Sequence, residues 1–156
     1  MNPLRPLALG AALLMPLSAQ GATFTCRRLD GGTFRSADVV GKKILVVDFW
    51  ATWCAPCLKT LKHLQALQDS RPDLQVLAVS IDDAATRAKV GQYIQGKGYT
   101  FTVLLDPESA LLRTFQPSMD VPFTFVLDRQ GRVAYSHSGY VPGDEQALLA
   151  ALDRLK

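Results

Sequence analysis

The sequence predicts an α/β protein in which helices cover both faces of a central β-sheet. Two runs rich in aliphatic residues, Ile44–Val47 and Leu74–Ile81, are typical of strands that are buried on both faces. Helical segments follow these runs, and strands that alternate with helices form a sheet covered by those helices. With 156 residues, of which 48% are apolar and 20% charged, the chain has the size and composition of one globular domain.

The first half of the predicted domain contains a hairpin, a central strand and a helix. Thr23–Arg28 and Thr33–Arg35 are short strands on either side of the turn sequence Leu29-Asp30-Gly31-Gly32. The central strand is Lys43–Trp50. Leucines at positions 58, 61, 64 and 67 then predict a helix from about Ala55 to Ser70 with one buried stripe.

The second half continues the alternation and ends with a hairpin and a helix. The hairpin turn is Asp128-Arg129-Gln130-Gly131. The last helix is expected to turn four leucines toward the core: Leu148, Leu149, Leu152 and Leu155. The predicted elements are the strand Leu74–Ile81, the helix Asp82–Gln95, the strand Thr100–Leu105, the helix Pro107–Phe115, the strands Phe123–Leu127 and Arg132–His137, and the helix Gly143–Lys156.

The sequence Cys54-Ala55-Pro56-Cys57 lies at the start of the first long helix. Residues i and i+3 share one helix face, so the two cysteines can form a small disulfide with little backbone movement. The helix dipole favours a thiolate at Cys54, and C-x-x-C motifs lower a cysteine pKa from about 8.5 to about 3.5–7.5. Cys54 is therefore the predicted nucleophile and Cys57 the resolving thiol. Taken alone, the pair also fits a metal site or a structural disulfide.

Residues 1–22 are predicted to be a cleaved signal peptide. Arg5 supplies the positive charge, the apolar run from Leu7 to Leu17 the hydrophobic region, and the small residues up to Ala22 the cleavage site. An uncleaved membrane anchor is the weaker alternative, because the run spans 11 residues and a bilayer needs about 20. We therefore expect one domain at 23–156, in the periplasm or otherwise exported.

Cys26 stands outside the C-x-x-C pair. It alternates with Phe24 on one face of the first strand and is predicted to be a small buried residue, the alternative being a reactive or intermolecular thiol. The formal net charge is +3, or +2 without Arg5. No basic run is interleaved with aromatic residues, so the composition does not indicate a nucleic-acid partner.

Two sequence stretches resemble the thioredoxin superfamily and, within it, the secreted TlpA/ResA-like thiol-disulfide oxidoreductases. They are Asp48-Phe49-Trp50-Ala51-Thr52-Trp53-Cys54-Ala55-Pro56-Cys57 and Val121-Pro122 with the strand that follows. The resemblance implies a thioredoxin-like fold, with a central mixed sheet, helices on both faces and an N-terminal hairpin. Cys57 and Pro122 are 65 residues apart, and this separation accommodates the inserted helix and strand that TlpA-like members carry. The threonine-containing cradle of a peroxidase is not present around Cys54.

The resemblance also assigns roles to residues near the cysteines. Pro122 is expected to follow a cis peptide bond opposite the cysteines, which leaves the backbone of Val121 free to pair with an extended substrate. Ala55-Pro56 is similar to the Gly-Pro of reducing thioredoxins and is expected to tune the potential. Trp53 is expected to be an exposed cover beside Cys54. Two further side chains are given no role in the site: Trp50, predicted in the core, and His63, predicted to face solvent.

Two departures from the family pattern concern proton transfer. The acid and the proline that many members carry after the second cysteine are replaced by Thr60 and Lys62. Asp48 stands where thioredoxin has its buried aspartate, and we predict that it deprotonates Cys57, with its pKa raised by burial. The alternative is a purely structural, hydrogen-bonded aspartate. The lysine that thioredoxin keeps on the following strand is absent from Leu74–Ile81.

The sequence thus predicts an exported reductase of protein disulfides that uses Cys54 and Cys57 and needs no cofactor. The expected partners are a disulfide-containing protein and a membrane electron donor that recharges the dithiol, and a monomer is expected. The resemblance also suggests service in cytochrome c maturation. The alternatives are a thiol oxidase or isomerase, and a copper-binding module in which His137 is a third ligand.

Overall fold

The computed structural model describes residues 21–156. The predicted signal peptide, residues 1–22, lies outside the described residues except for its last two positions. Within the described part of the chain, no helix is long and apolar enough to cross a membrane.

The described chain forms seven strands and four α-helices, in the order that the sequence predicts. A short 3₁₀ helix, Ser36–Asp38, follows the N-terminal hairpin. The elements are β1 (Thr25–Arg28), β2 (Thr33–Arg35), β3 (Ile44–Trp50), α1 (Ala55–Ser70), β4 (Leu74–Ser80), α2 (Arg87–Lys97), β5 (Thr102–Leu105), α3 (Ala110–Phe115), β6 (Phe123–Leu127), β7 (Val133–Ser138) and α4 (Asp144–Asp153).

The strands form one mixed sheet in the order β2-β1-β5-β4-β3-β6-β7. β3 pairs in parallel with β4 and antiparallel with β6, so hydrogen bonds hold both of its edges. β4 and β5 are parallel, and the N-terminal hairpin joins β5 in antiparallel orientation. The thioredoxin-like mixed sheet, the N-terminal hairpin and the inserted α2 and β5 are therefore confirmed.

Two apolar clusters, one on each face of the sheet, form the core. Helices α1, α2 and α4 cover one face, and α3 covers the other together with Phe34 of the hairpin. Along β3 the side chains alternate between these faces: Val46 and Trp50 belong to the α1 side, whereas Val47 and Phe49 belong to the α3 side. By the same alternation, Asp48 lies on the α1 side.

Two predicted helices begin later than their sequences suggest, because aspartates form turns before them. Asp83 Oδ1 accepts hydrogen bonds from the backbone N–H groups of Ala85 and Thr86, and α2 begins only at Arg87. Asp106 accepts hydrogen bonds from the N–H groups of residues 111 and 112 of α3. That helix therefore begins at residue 110, and the predicted start at residue 107 falls in a turn.

The leucines of α4 lie on a narrower stripe than predicted. Leu152 is fully buried, and Leu148 and Leu155 pack partly against the core. Leu149 keeps 45% of its surface exposed, so its prediction as a core residue is wrong. The spacing explains the difference, since residues 148, 152 and 155 share one helix face and residue 149 is rotated away from it.

Removal of a leucine side chain from α1 tests which helix faces stabilise the domain. Leu64 is 1% exposed in the cluster beneath α1, so Leu64→Ala is expected to lower the free energy of unfolding by about 2–5 kcal/mol. Leu149→Ala is the matched control and is expected to change it by less than about 0.5 kcal/mol. Urea unfolding followed by tryptophan fluorescence measures both variants. Equal losses of unfolding free energy in the two variants would contradict the assignment of Leu64 to a buried helix face and of Leu149 to an exposed one.

Candidate active site

Cys54 and Cys57 form a disulfide at the start of α1, with their Cα atoms 5.3 Å apart. Cys54 is the N-cap residue of the helix, and the backbone N–H of Cys57 donates to Cys54 Sγ over 3.3 Å. That contact and the positive end of the helix dipole stabilise negative charge on Cys54 sulfur once the bond is reduced. Cys54 is 6% exposed and Cys57 is fully buried, so an incoming partner can reach only the first sulfur.

The two tryptophans before the disulfide lie in opposite environments. Trp50, the last residue of β3, is fully buried and packs near Tyr93 of α2, with 5.8 Å between the ring centroids. Trp53 is 63% exposed and directly precedes Cys54. Both placements confirm the predictions. Trp53 thus presents a large apolar surface next to the sulfur that a partner can reach.

The peptide bond between Val121 and Pro122 is cis, as predicted. Pro122 directly precedes β6, which pairs with the end of β3 through Phe49 and Phe123. The loop that carries Val121 therefore lies at the same end of the sheet as the cysteines. Within residues 21–156, neither backbone group of Val121 has a backbone hydrogen-bond partner. A strand-like segment of another protein could supply these partners.

Asp48 is completely buried in the middle of β3. The Thr124 hydroxyl donates to its Oδ1 over 2.7 Å, and its Oδ2 has no hydrogen-bond partner. Burial raises the pKa of Asp48 to about 8, and the hydrogen bond from Thr124 opposes part of that rise. The predicted elevation of the pKa is therefore present, and Asp48 lies on the face of the sheet that α1 and Cys57 cover.

Within residues 21–156, no charged group contributes to the pKa shift of Asp48, so no cation or second acid replaces the groups that the sequence lacks there. Its partner on β4 is Ala78, which leaves no charge on that side of the strand. Thr60, at the position where many relatives carry an acid, donates its hydroxyl to the carbonyl of Pro56 one helical turn earlier. Asp48 is thus the buried acid on the cysteine side of β3.

Sequence analysis missed a second buried carboxylate, Asp82, which holds the loop before the cysteines. Asp82 is 1% exposed and accepts hydrogen bonds from the backbone N–H and the hydroxyl of Thr52, over 2.9 and 2.6 Å. The Ser80 hydroxyl donates to the same carboxylate over 2.8 Å. The sequence signal that could have found Asp82 is its position just after β4. The carboxyl ends of neighbouring parallel strands meet at one edge of a sheet, so a residue after β4 lies near the end of β3.

Cys26 and the two histidines lie apart from the disulfide. Cys26 is a free, half-buried thiol whose Sγ donates to the carbonyl of Leu105, and burial raises its pKa to about 11. Cys26 packs against the core as the sequence predicts, but it is partly rather than fully buried. His63 is exposed as predicted, and His137 Nε2 lies 2.9 Å from a carboxylate oxygen of Asp144. Among residues 21–156, no three His, Cys, Asp or Glu side chains are arranged to hold a metal ion.

A thioredoxin-like sheet with a C-x-x-C disulfide at the start of a helix defines the class of the protein as a thiol-disulfide oxidoreductase. The sequence pattern of the AhpC/TSA family matches residues 18–136. The chain therefore belongs to the AhpC/TSA family, in the thioredoxin superfamily.

Individual relatives agree with this assignment. The thioredoxin-like protein YneN of Bacillus subtilis is 31% identical over 136 residues, covering 86% of this chain and 78% of the relative. The thiol-disulfide oxidoreductase ResA of Bacillus thuringiensis is 25% identical over 119 residues, which cover 76% of this chain and 68% of the relative. A crystal structure from Chlorobium tepidum, provisionally named a thiol:disulfide interchange protein DsbE, has a TM-score of 0.78 and 27% identity, with coverage of 87% and 94%. These similarities confirm the TlpA/ResA-like resemblance.

The raised pKa of Asp48 predicts how the stability of the oxidised protein depends on pH. The folded protein binds the Asp48 proton up to a pKa of about 8, whereas an unfolded chain releases it near pH 3.9. The free energy of unfolding should therefore fall between about pH 4 and pH 8, by at most about 1.4 kcal/mol per pH unit from this group.

Asp48→Asn removes the titrating proton but keeps the size of the side chain. The variant should gain stability relative to the wild type as the pH rises through this range. Urea unfolding of both oxidised proteins at several pH values between about 4.5 and 8 measures the difference. A difference that stays constant with pH would contradict the raised pKa.

Proposed function

We propose that the protein is an exported reductase of protein disulfides that uses Cys54 and Cys57 in dithiol-disulfide exchange. The observation that carries this proposal is the asymmetry of the pair. Cys54 lies at the helix end with a backbone N–H on its sulfur, and Cys57 is fully buried behind it. One sulfur is thereby suited to attack and the other to resolve.

In the first step, the reduced Cys54 thiolate attacks one sulfur of a substrate disulfide. A mixed disulfide forms between Cys54 and that sulfur, and the second substrate sulfur leaves as a thiolate that takes a proton from solvent. The helix dipole and the Cys57 N–H both interact favourably with a negative charge on Cys54 sulfur. The site therefore supplies a nucleophile without a cofactor.

In the second step, Cys57 gives its proton to the Asp48 carboxylate and attacks Cys54 sulfur. The Cys54–Cys57 bond forms, the mixed disulfide breaks, and the bonding electrons leave with the substrate sulfur, which is thereby reduced. Asp48 suits this role because it lies on the α1 side of the sheet and its raised pKa is closer to that of a thiol. The step proceeds without an acid at Thr60.

A protein substrate is expected to dock on the surface around Cys54. Trp53 offers an exposed apolar side chain, and the backbone of Val121 offers a free N–H and carbonyl. Ala55 and Pro56 are exposed on the helix side of the disulfide. Pro122 is buried in the Val121–Pro122 loop on the other side. An extended segment that contains a disulfide would fit between these two sides.

The leader and the residues between the cysteines support the location and the direction of the reaction. The predicted signal peptide, residues 1–22, favours action outside the cytoplasm, where a reductase must be recharged by a membrane electron donor. Ala55-Pro56 favours a reducing potential through its similarity to the Gly-Pro of reducing thioredoxins. Service in cytochrome c maturation is part of the proposal through the resemblance to the TlpA/ResA-like family.

The reduction potential of the Cys54–Cys57 pair tests the direction. In equilibrium with glutathione or dithiothreitol, a reductase should show a reduction potential of about −270 mV, the value of thioredoxin. It should also reduce insulin disulfides. A potential near about −120 mV with oxidation of a dithiol peptide would instead identify a thiol oxidase. Cys57→Ala should accumulate mixed disulfides with exported proteins. Cys26→Ala is the matched control and should leave both the potential and the insulin activity unchanged.

A further inference from the structure

A small cleft lies directly beyond the hydrogen bond that Asp48 makes. It occupies about 40 Å³ between α1, β6, β7 and the start of α4, and Thr124 and Thr60 line it together with Leu64 and Leu148. A volume of this size holds at least one water molecule. Trp53, Cys54 and Cys57 are not among its lining residues.

Thr124 belongs both to the Asp48 contact and to the cleft. Its hydroxyl donates to Asp48 Oδ1 over 2.7 Å, and its side chain is 7% exposed in the wall of the cleft. A hydroxyl can donate and accept at the same time. It can therefore donate to the charged carboxylate, and it can accept a proton from the neutral acid and pass its own proton to water.

Titratable groups line the cleft together with Thr124. His137 is the direct partner of Thr124 across β6 and β7, so the two side chains share one face of the sheet. Its Nε2 lies 2.9 Å from Asp144 at the start of α4. The titratable groups that line the cleft are His63 of α1, Tyr135 and His137 of β7, Tyr140 of the following loop, and Asp144 and Glu145 of α4.

We propose that Thr124 is a positioning residue for the acid step and that the cleft is the route by which Asp48 exchanges its proton with solvent. This inference rests on the proposed role of Asp48 in the second step. After Cys57 has given its proton to Asp48 and the new disulfide has formed, that proton leaves through the Thr124 hydroxyl to water beside His137. No other polar side chain in residues 21–156 hydrogen-bonds to Asp48, so Thr124 is the one side chain through which the proton can leave Asp48.

Thr124→Val tests the proposal, because valine keeps the shape of threonine and removes the donor to the charged carboxylate. The Asp48 titration should move upward by roughly one to two pH units, and Thr124→Ser should restore it. Infrared titration of the oxidised protein reports this directly, through the carboxylic acid C=O band that is missing in Asp48→Asn. The pH profile of mixed-disulfide resolution by the reduced protein should shift in the same direction.

The controls separate this inference from the proposed function. Thr102→Val changes a threonine of β5 that bonds to Gln75, and it should leave the Asp48 titration unchanged. If Asp48→Asn alters the pH profile but Thr124→Val does not shift it, the Thr124 route is wrong and the acid role of Asp48 stands. If Asp48→Asn leaves the pH profile unchanged, the acid role of Asp48 is wrong, and the proposed proton route through Thr124 is wrong as well. Should Thr124→Val fail to fold, Thr124→Ala removes the same donor with a smaller side chain.

Discussion

The active site depends on the position of β3 at the centre of the sheet. Hydrogen bonds from β4 and β6 hold both edges of β3, and every one of its residues is buried. The end of this strand is therefore fixed, and α1 begins only a few residues later with Cys54 as its N-cap. The antiparallel neighbour β6 brings the Val121–Pro122 loop to the same end, so a single strand aligns Cys54, Cys57 and the opposing backbone.

Charge in the site is controlled by burial and by single hydrogen bonds rather than by ion pairs. The arginine and lysine salt bridges of the described chain lie elsewhere, on the surface around residues such as Asp73 and Asp153. In the site, the helix end and one N–H favour a charged Cys54, whereas the apolar surroundings favour a neutral Asp48. The raised pKa of Asp48 brings this carboxyl closer to the ordinary pKa of a thiol, which favours proton transfer from Cys57 in the proposed second step.

The order and type of the elements were predictable because apolar spacing and turn residues are local signals. The leucine spacing placed α1 at its observed bounds, Ala55–Ser70, and the turn residues placed both hairpins. The errors in the helix starts arose where a side chain bonds to a distant or later backbone group. Asp82, predicted in a helix, bonds to Thr52, which lies 30 residues earlier in the chain. Asp106 similarly delays the start of α3.

The amino-acid sequence was sufficient for the C-x-x-C pair, the burial of Asp48 and the order of strands and helices, because each depends on a short motif or a periodic pattern. The cis proline and the redox role of the cysteines came from the resemblance to a known family. Tertiary structure alone decided which groups control those residues. Thr124 lies 76 residues from Asp48 and meets it only because β6 pairs with β3 in one register. Asp82 reaches Thr52 only because β4 runs parallel to β3. Sheet register sets such contacts, and distant parts of the chain establish it together.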